Sequence, residues 1–205
     1  MPKKPLNGEN RARQMLAQET ARIIVEQGVR DYGAAKIKAA ARLGMTTRGA
    51  LPRNAEIESA ISEYLQLFHG DWHADFLSAM RHSALSAMEL LSPFSPRLVG
   101  PVLNGTADEN SAVNLHVFSD CAETVATRLS DLNVIYRPYE RRLKSSRNRN
   151  SAVGVFTGFE FKRDETIIEA TVFPVDGIRQ APISSIDGRP MKRADFKTVQ
   201  GLIAR

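Results

Sequence analysis

Apolar residues recur at helical spacing through the first ninety residues of the chain. Asn54 is suited to begin a helix, and Ile57, Ile61 and Leu65 follow on one side of it. Gly70 ends that helix, and Pro93 stops the next one. Residues 45–53, with two Thr, a Gly and a Pro, are predicted as an exposed linker. The helices are therefore predicted over residues 10–27, 31–43, 54–68 and 71–91.

From Arg97 onward the apolar residues alternate with polar ones, which indicates β-strands. Ser, Asn and Arg crowd residues 145–150, which predicts a hairpin turn, and a loop-rich tail with a closing helix at 194–204 follows Pro174. The expected fold class is α+β, with a helical N-terminal region over residues 1–92 packed on a mixed or antiparallel sheet domain over 93–205. Strands are predicted over 97–103, 113–118, 134–143, 152–161 and 166–173, with a helix over 122–132.

Composition narrows the class of protein without identifying it. The 205 residues, with 42% hydrophobic and 25% charged side chains, are ordinary for a globular protein. The formal net charge of +5 favours an anionic partner. A single cysteine, Cys121, excludes an internal disulfide, and no apolar run approaches a membrane span. We therefore expect a cytoplasmic protein with no membrane partner.

The stretch LVGPVLNGTADENSAVNLHVF, residues 98–118, carries the most specific signal. Two short apolar runs flank a turn rich in Gly, Asn, Asp and Ser, which predicts a strand, a phosphate-sized turn and a second strand. This frame resembles the DNA polymerase beta-like nucleotidyltransferase superfamily, whose signature is a Gly-Gly or Gly-Ser pair followed by Asp-h-Asp. Gly100-Pro101 stands for the first element, and Ala112-Val113-Asn114 stands for the second.

The resemblance implies a fold and a site whose acids are largely missing. In the family, two carboxylates on one strand and a third on a neighbouring strand hold divalent metal ions. Ala112 and Asn114 match the first two positions, and Glu169 is expected at the third. Pro101 matches the phosphate-binding Ser but has neither a hydroxyl nor a backbone N–H. The residues that the resemblance assigns to nucleotide phosphate binding are Gly100, Asn104, Gly105 and Thr106.

A rearranged site is the alternative that the sequence leaves open. His116 lies two residues after Asn114 on the same predicted strand face, about 7 Å away. An active enzyme would use Glu169, Asn114 and His116 with Mg²⁺ or Mn²⁺ and a nucleoside triphosphate. No dedicated metal site is predicted elsewhere, because Gly70 breaks the helical spacing of His69 and His73.

A basic segment follows, RPYERRLKSSRNR at residues 137–149. It carries six Lys or Arg residues against Glu140 alone, and Tyr136 and Tyr139 are interleaved with them. Such a hairpin can contact a phosphate backbone and stack on bases; a solvated hairpin that keeps a sheet edge soluble has the same composition. The predicted nucleic-acid contacts are Arg137, Tyr139, Arg141, Arg142, Lys144, Arg147 and Arg149.

Two functional hypotheses follow from these features. In the first, a non-catalytic nucleotidyltransferase-like protein binds RNA, a nucleotide or a protein partner through its cleft and its basic hairpin. In the second, the chain is an active metal-dependent nucleotidyltransferase that transfers a nucleotide from a nucleoside triphosphate. A protein partner docking on the helical region is a third prediction for residues 1–92.

Overall fold

The computed structural model describes residues 8–45, 51–144 and 153–204. They fall into two compact units. The helical unit comprises residues up to His73 together with Asp108–Asn110 and Ser185–Asp187. The sheet unit comprises Ala74–Ala107, Ser111–Ser184 and Gly188–Arg205.

The regular elements follow the chain in the expected order. The helices are α1 Gly8–Gln27, α2 Tyr32–Arg42, α3 Asn54–Leu90, α4 Pro101–Asn104, α5 Ala122–Asp131 and α6 Phe196–Ile203. The strands are β1 Arg97–Val99, β2 Val113–Phe118, β3 Tyr136–Lys144, β4 Val153–Arg163 and β5 Thr166–Phe173. Gly70 has non-helical dihedral angles inside α3, where the sequence predicted the break between two helices.

The helical unit is held by two small apolar clusters on α1. Asp31 caps α2 by accepting a hydrogen bond from the Ala34 N–H at 2.6 Å. Thr20, fully buried in α1, donates its hydroxyl to the Leu16 carbonyl at 2.6 Å, so burial leaves no polar atom of that side chain unsatisfied. One cluster contains Ala17, Ala21, Ile57, Ile61 and Leu65; the other contains Leu16, Ile23, Ala35, Ala39 and Ala40.

The described part of the sheet unit forms a five-stranded mixed sheet in the order β1-β2-β5-β4-β3. β2 and β5 are parallel, and the other pairs are antiparallel. Alternate residues of β1, β2 and β5, with Phe159 and Phe161 of β4, face a single apolar core, to which the second half of α3, α5 and α6 contribute. The buried residues of β2 and β5 in this core are Val113, Leu115, Val117, Ile168, Ala170 and Val172.

The C-terminal tail pairs with both edge strands of the sheet. Ile183 donates its backbone N–H to the Lys144 carbonyl of β3 at 2.9 Å. Ala194 and Leu98 of β1 exchange backbone hydrogen bonds at 2.8 and 2.9 Å. The tail thus brings Ala194, and with it Arg193, beside β1.

The α+β class, with mostly N-terminal helices and a mixed sheet, is confirmed. The predicted first strand over 97–103 is wrong beyond Val99, because Gly100 turns the chain at φ 76° and Pro101 begins α4. The units also divide earlier than residue 92, because Leu77, Met80 and Leu91 belong to the core of the sheet unit. No helix among the described residues is long and apolar enough to cross a membrane.

Candidate functional site

The face of the sheet opposite the core carries polar and charged side chains. The strand register places Asn114 directly beside Glu169, and His116 beside Thr171. Antiparallel pairing adds Glu160 and Gly158 from β4, and then Arg137 and Tyr139 from β3. Because directly paired residues point to the same side of a sheet, these residues share one surface, which we call the polar face.

Arg141 of β3 reaches across the polar face to the two predicted metal-ligand positions. Its Nη1 donates to Asn114 Oδ1 at 2.8 Å, and its Nη2 donates to Glu169 Oε2. The Asn114 amide in turn donates to the Ala112 carbonyl at 3.1 Å. Only 30% of the Arg141 side chain and 14% of the Glu169 side chain are exposed, so solvent screens this ion pair only in part. A guanidinium therefore occupies the space between the residues that the resemblance assigns to metal binding.

Tyr139 supports Arg141 from the same strand. The Arg141 guanidinium carbon lies 5.5 Å from the centre of the Tyr139 ring, within cation–π range. The Tyr139 hydroxyl and Thr171 Oγ1 are hydrogen-bonded at 2.9 Å. The ring lies over Gly158, where an added Cβ would come 2.3 Å from Tyr139 Cζ, so this position requires glycine. Burial raises the pKa of Tyr139, partly offset by the hydrogen bond with Thr171 and the charge of Arg141.

Arg193, in the C-terminal tail, lies at the His116 end of the polar face. Its Nε donates to His116 Nδ1 at 3.0 Å, and its Nη1 donates to the Gly177 carbonyl at 2.8 Å. The guanidinium carbon lies 5.0 Å from the centre of the Phe118 ring and 5.3 Å from that of Phe173. This cation lies over two neighbouring aromatic rings, whose centres are 6.2 Å apart.

His116 is held in its neutral form. Burial, with 1% of the residue exposed, and the nearby charges of Arg193 and Arg141 lower the pKa of His116 to about 3. Since arginine cannot accept a hydrogen bond, Nδ1 is the acceptor and the proton sits on Nε2. The imidazole is therefore neutral at physiological pH and uses Nδ1 to orient Arg193.

No family model, curated protein or solved structure matches this chain. The likeness to nucleotidyltransferases stays a prediction from the sequence.

The residues present do not fit the metal ions that the likeness implies. Ala112 has no ligating atom, and the side-chain oxygens of Asn114 and Glu169 accept hydrogen bonds from Arg141. The rearranged trio does share one face, but Nδ1 of His116 is engaged by Arg193. Within residues 8–45, 51–144 and 153–204, no three His, Cys, Asp or Glu side chains form a group that could hold a metal ion.

The predicted phosphate-binding residues lie around α4. Gly100 precedes this helix with φ 76° and ψ −154°, a conformation that is open almost only to glycine, and it lies against the Asn114 side chain. Asn104 is exposed, and Gly105 ends the helix in a left-handed conformation. Thr106 Oγ1 is buried and has no hydrogen-bond partner among the described residues. Gly100 thus lies beside Asn114, the residue that accepts a hydrogen bond from Arg141.

The strand register divides the predicted nucleic-acid residues between two faces. Arg137 and Arg141 lie on the polar face, where Arg137 pairs with Glu160 at 3.1 Å. Arg142 and Lys144 are exposed on the opposite face, and Arg147 and Arg149 lie outside the described residues.

The predicted base stacking by tyrosine is not supported by the packing of either ring. Tyr136 packs against the core, with its ring edge-on to Phe159 at 5.2 Å. Tyr139 lies over Gly158, as described above. Tyr136 is on the same face of β3 as the exposed cations Arg142 and Lys144, but its ring is packed into the core, and Tyr139 is on the polar face.

The sequence did not reveal the role of Arg193. The residue belongs to a tail whose predicted turns give no strand register, and 77 positions separate it from His116. The sequence shows only that residue 193 is basic. The pairing of its neighbour Ala194 with Leu98 of β1 is seen in the structure. Only tertiary pairing brings Arg193 to the polar face.

Proposed function

We propose that this chain is a nucleotidyltransferase-like protein that binds a nucleotide or RNA and does not carry out metal-dependent nucleotide transfer. The observation that carries the proposal is the Arg141 guanidinium between Asn114 and Glu169. In phosphoryl transfer, metal ions neutralise the charge that develops on the phosphates. A guanidinium fixed to the protein supplies positive charge for binding, but it does not activate an attacking hydroxyl as a metal ion does.

The exposed cations of the hairpin support a contact with RNA. Arg142 and Lys144 alternate along β3 and make no ion pair with a described residue, whereas Arg137 and Arg141 are both paired with carboxylates. Cations two residues apart on a strand lie about 7 Å apart, so each can meet a separate phosphate. Without exposed aromatic rings beside them, we expect contact with the sugar–phosphate backbone rather than stacking on bases.

A salt titration of RNA binding tests this surface. Changing Arg142→Ala together with Lys144→Ala is expected to weaken binding of a fluorescent single-stranded RNA. Loss of two phosphate contacts should also reduce the slope of log K against log salt by about 1.4. Lys162→Ala, another exposed cation on the sheet, is the matched control and should leave the slope unchanged.

Two results would contradict the proposal. If the double variant binds RNA with the same affinity and the same salt dependence as the natural protein, Arg142 and Lys144 do not contribute to RNA binding. Transfer of a nucleotide from a triphosphate in the presence of Mg²⁺ or Mn²⁺, abolished by Glu169→Ala, would favour the active enzyme instead.

A further inference from the structure

Positive charge exceeds negative charge around His116. The imidazole lies close enough to Arg193 and Arg141 for both guanidinium groups to lower its pKa. Arg97 is paired with His116 across β1 and β2, so its side chain is on the same face, and its Nη1 donates to the carbonyls of Ser95 and Pro96 at 3.1 and 3.0 Å. Glu169 is the carboxylate that contacts this group, through Arg141. Two guanidinium groups therefore lie near one neutral imidazole and one carboxylate, and a third, that of Arg97, lies near Arg193.

Arg193 forms no ion pair with a described carboxylate. Its hydrogen-bond partners are the uncharged His116 ring and the carbonyls of Gly177 and Ile178. Its Nη2 is buried and has no hydrogen-bond partner among the described residues. Burial and, to a smaller extent, the neighbouring charge of Arg97 lower the pKa of Arg193 to about 10.

Asp195, two residues after Arg193 in the sequence, forms its hydrogen bonds within α6. Asp195 caps α6 by accepting hydrogen bonds from the Thr198 N–H at 2.8 Å and from its hydroxyl at 2.5 Å. These bonds, with a smaller contribution from Arg97, lower the pKa of Asp195. The Asp195 carboxylate thus serves as the N-cap of α6 and does not form an ion pair with Arg193.

An oxyanion would complete this arrangement. Buried polar groups and charges are normally satisfied, and an unpaired guanidinium donor in such a site favours a multivalent anion. Arginine matches the geometry of phosphate oxygens, and aromatic packing fixes the Arg193 group without neutralising it. We propose that Arg193 and Arg97, next to Arg141, bind the phosphate groups of a metal-free ligand, of the class of a nucleoside polyphosphate or pyrophosphate. This proposal rests on the proposed function and names the form in which the ligand binds.

Metal-free binding has a consequence that separates it from ordinary nucleotide sites. Mg²⁺ neutralises part of the charge of a polyphosphate, so it should compete with the guanidinium groups for the ligand. We therefore expect the ligand to bind at least as tightly in EDTA as in Mg²⁺.

Thermal unfolding of the full chain tests the proposal with inorganic phosphate, pyrophosphate and each nucleoside triphosphate, in EDTA and in Mg²⁺. A ligand at a hundred times its Kd should raise Tm by about 5–10 °C. Arg193→Gln and Arg97→Gln should each lose this rise, measured from the Tm of the unliganded variant. Lys192→Gln removes the adjacent, exposed cation and should keep it.

The different anions show which part of the ligand is bound, and the outcomes separate failure of this proposal from failure of the proposed function. A rise with pyrophosphate and with every triphosphate identifies the phosphates as the bound group; a rise with one triphosphate alone adds its base to the site. No rise with any anion in EDTA, or an equal loss in Lys192→Gln, overturns the proposal and leaves the RNA surface of the hairpin untouched. A rise that requires Mg²⁺ also overturns it, and nucleotide transfer under the same conditions would overturn the proposed function as well.

Discussion

The two faces of the sheet are made from the same strands but from opposite chemistry. On β2 and β5, the side chains toward the core are Val113, Leu115, Val117, Ile168, Ala170 and Val172, all buried. On the other side the same two strands present Asn114, His116, Glu169 and Thr171, with Phe118, Phe173 and Ile167 at the ends of the strands. Apolar burial stabilises the first face without any requirement for partners, whereas each polar group on the second needs a specific hydrogen bond or counter-charge.

This difference is the reason that we propose a ligand site on the polar face. His116 and Thr171 are almost fully buried, and each has a defined hydrogen-bond partner, in Arg193 and Tyr139 respectively. A fold that needed only stability could fill both positions with aliphatic side chains at lower cost. The buried polar network therefore fixes the positions of Arg141 and Arg193, the groups that we propose lie at the ligand site.

The largest expected effect compares two adjacent isoleucines of β5. Ile168 is fully buried in the core, and Ile167, which points to the other side of the strand, is 40% exposed. Ile168→Ala should lower the free energy of unfolding by about 2–5 kcal/mol, because it leaves a cavity. Ile167→Ala should lower it by less than about 1 kcal/mol. Urea unfolding followed by circular dichroism measures both, and equal losses would contradict the assignment of the two faces.

A smaller effect is expected from His116 as the pH falls. Its folded pKa, about 3, lies below the ordinary value of 6.5, so protonation favours the unfolded chain. The stabilisation is complete above about pH 6.5 and declines as the pH falls toward 3. At pH 5 the stability should be about 2 kcal/mol lower than at pH 8 from this group alone.

His116→Gln isolates that contribution from the carboxylates that also titrate. Glutamine offers a carbonyl oxygen to Arg193 Nε but carries no titratable proton. The variant should lose the His116 part of the pH dependence between pH 8 and 5. An identical pH profile in the two proteins would show that His116 is not held neutral.

The sequence predicted the core face well because burial leaves a periodic pattern. The alternation in residues 113–118 and 166–173 identified both central strands, and Asn114, His116 and Glu169 were correctly expected to share a face. Their partners could not be predicted in the same way. Arg141 was interpreted as part of a nucleic-acid-binding hairpin, because the local sequence of β3 does not indicate which of its residues lie on the polar face.

Tertiary pairing also decides the remaining differences. The end of β1 at Val99 depends on the positive φ of Gly100, which a run of apolar residues does not reveal. Arg193 reaches His116 only because Ala194 pairs with Leu98. Such contacts join residues that are distant in the chain, so no spacing in the sequence signals them.

The most direct test of the account is a titration with Mn²⁺, followed by the electron paramagnetic resonance signal of the free ion. The account predicts that the natural protein leaves the Mn²⁺ signal unchanged, because Arg141 occupies the space between Asn114 and Glu169. Combining Asn114→Asp with Arg141→Ser should create Mn²⁺ binding, whereas Asn114→Asp with Arg137→Ser, which keeps Arg141, should not. Binding of Mn²⁺ by the natural protein that Glu169→Gln abolishes would contradict the account.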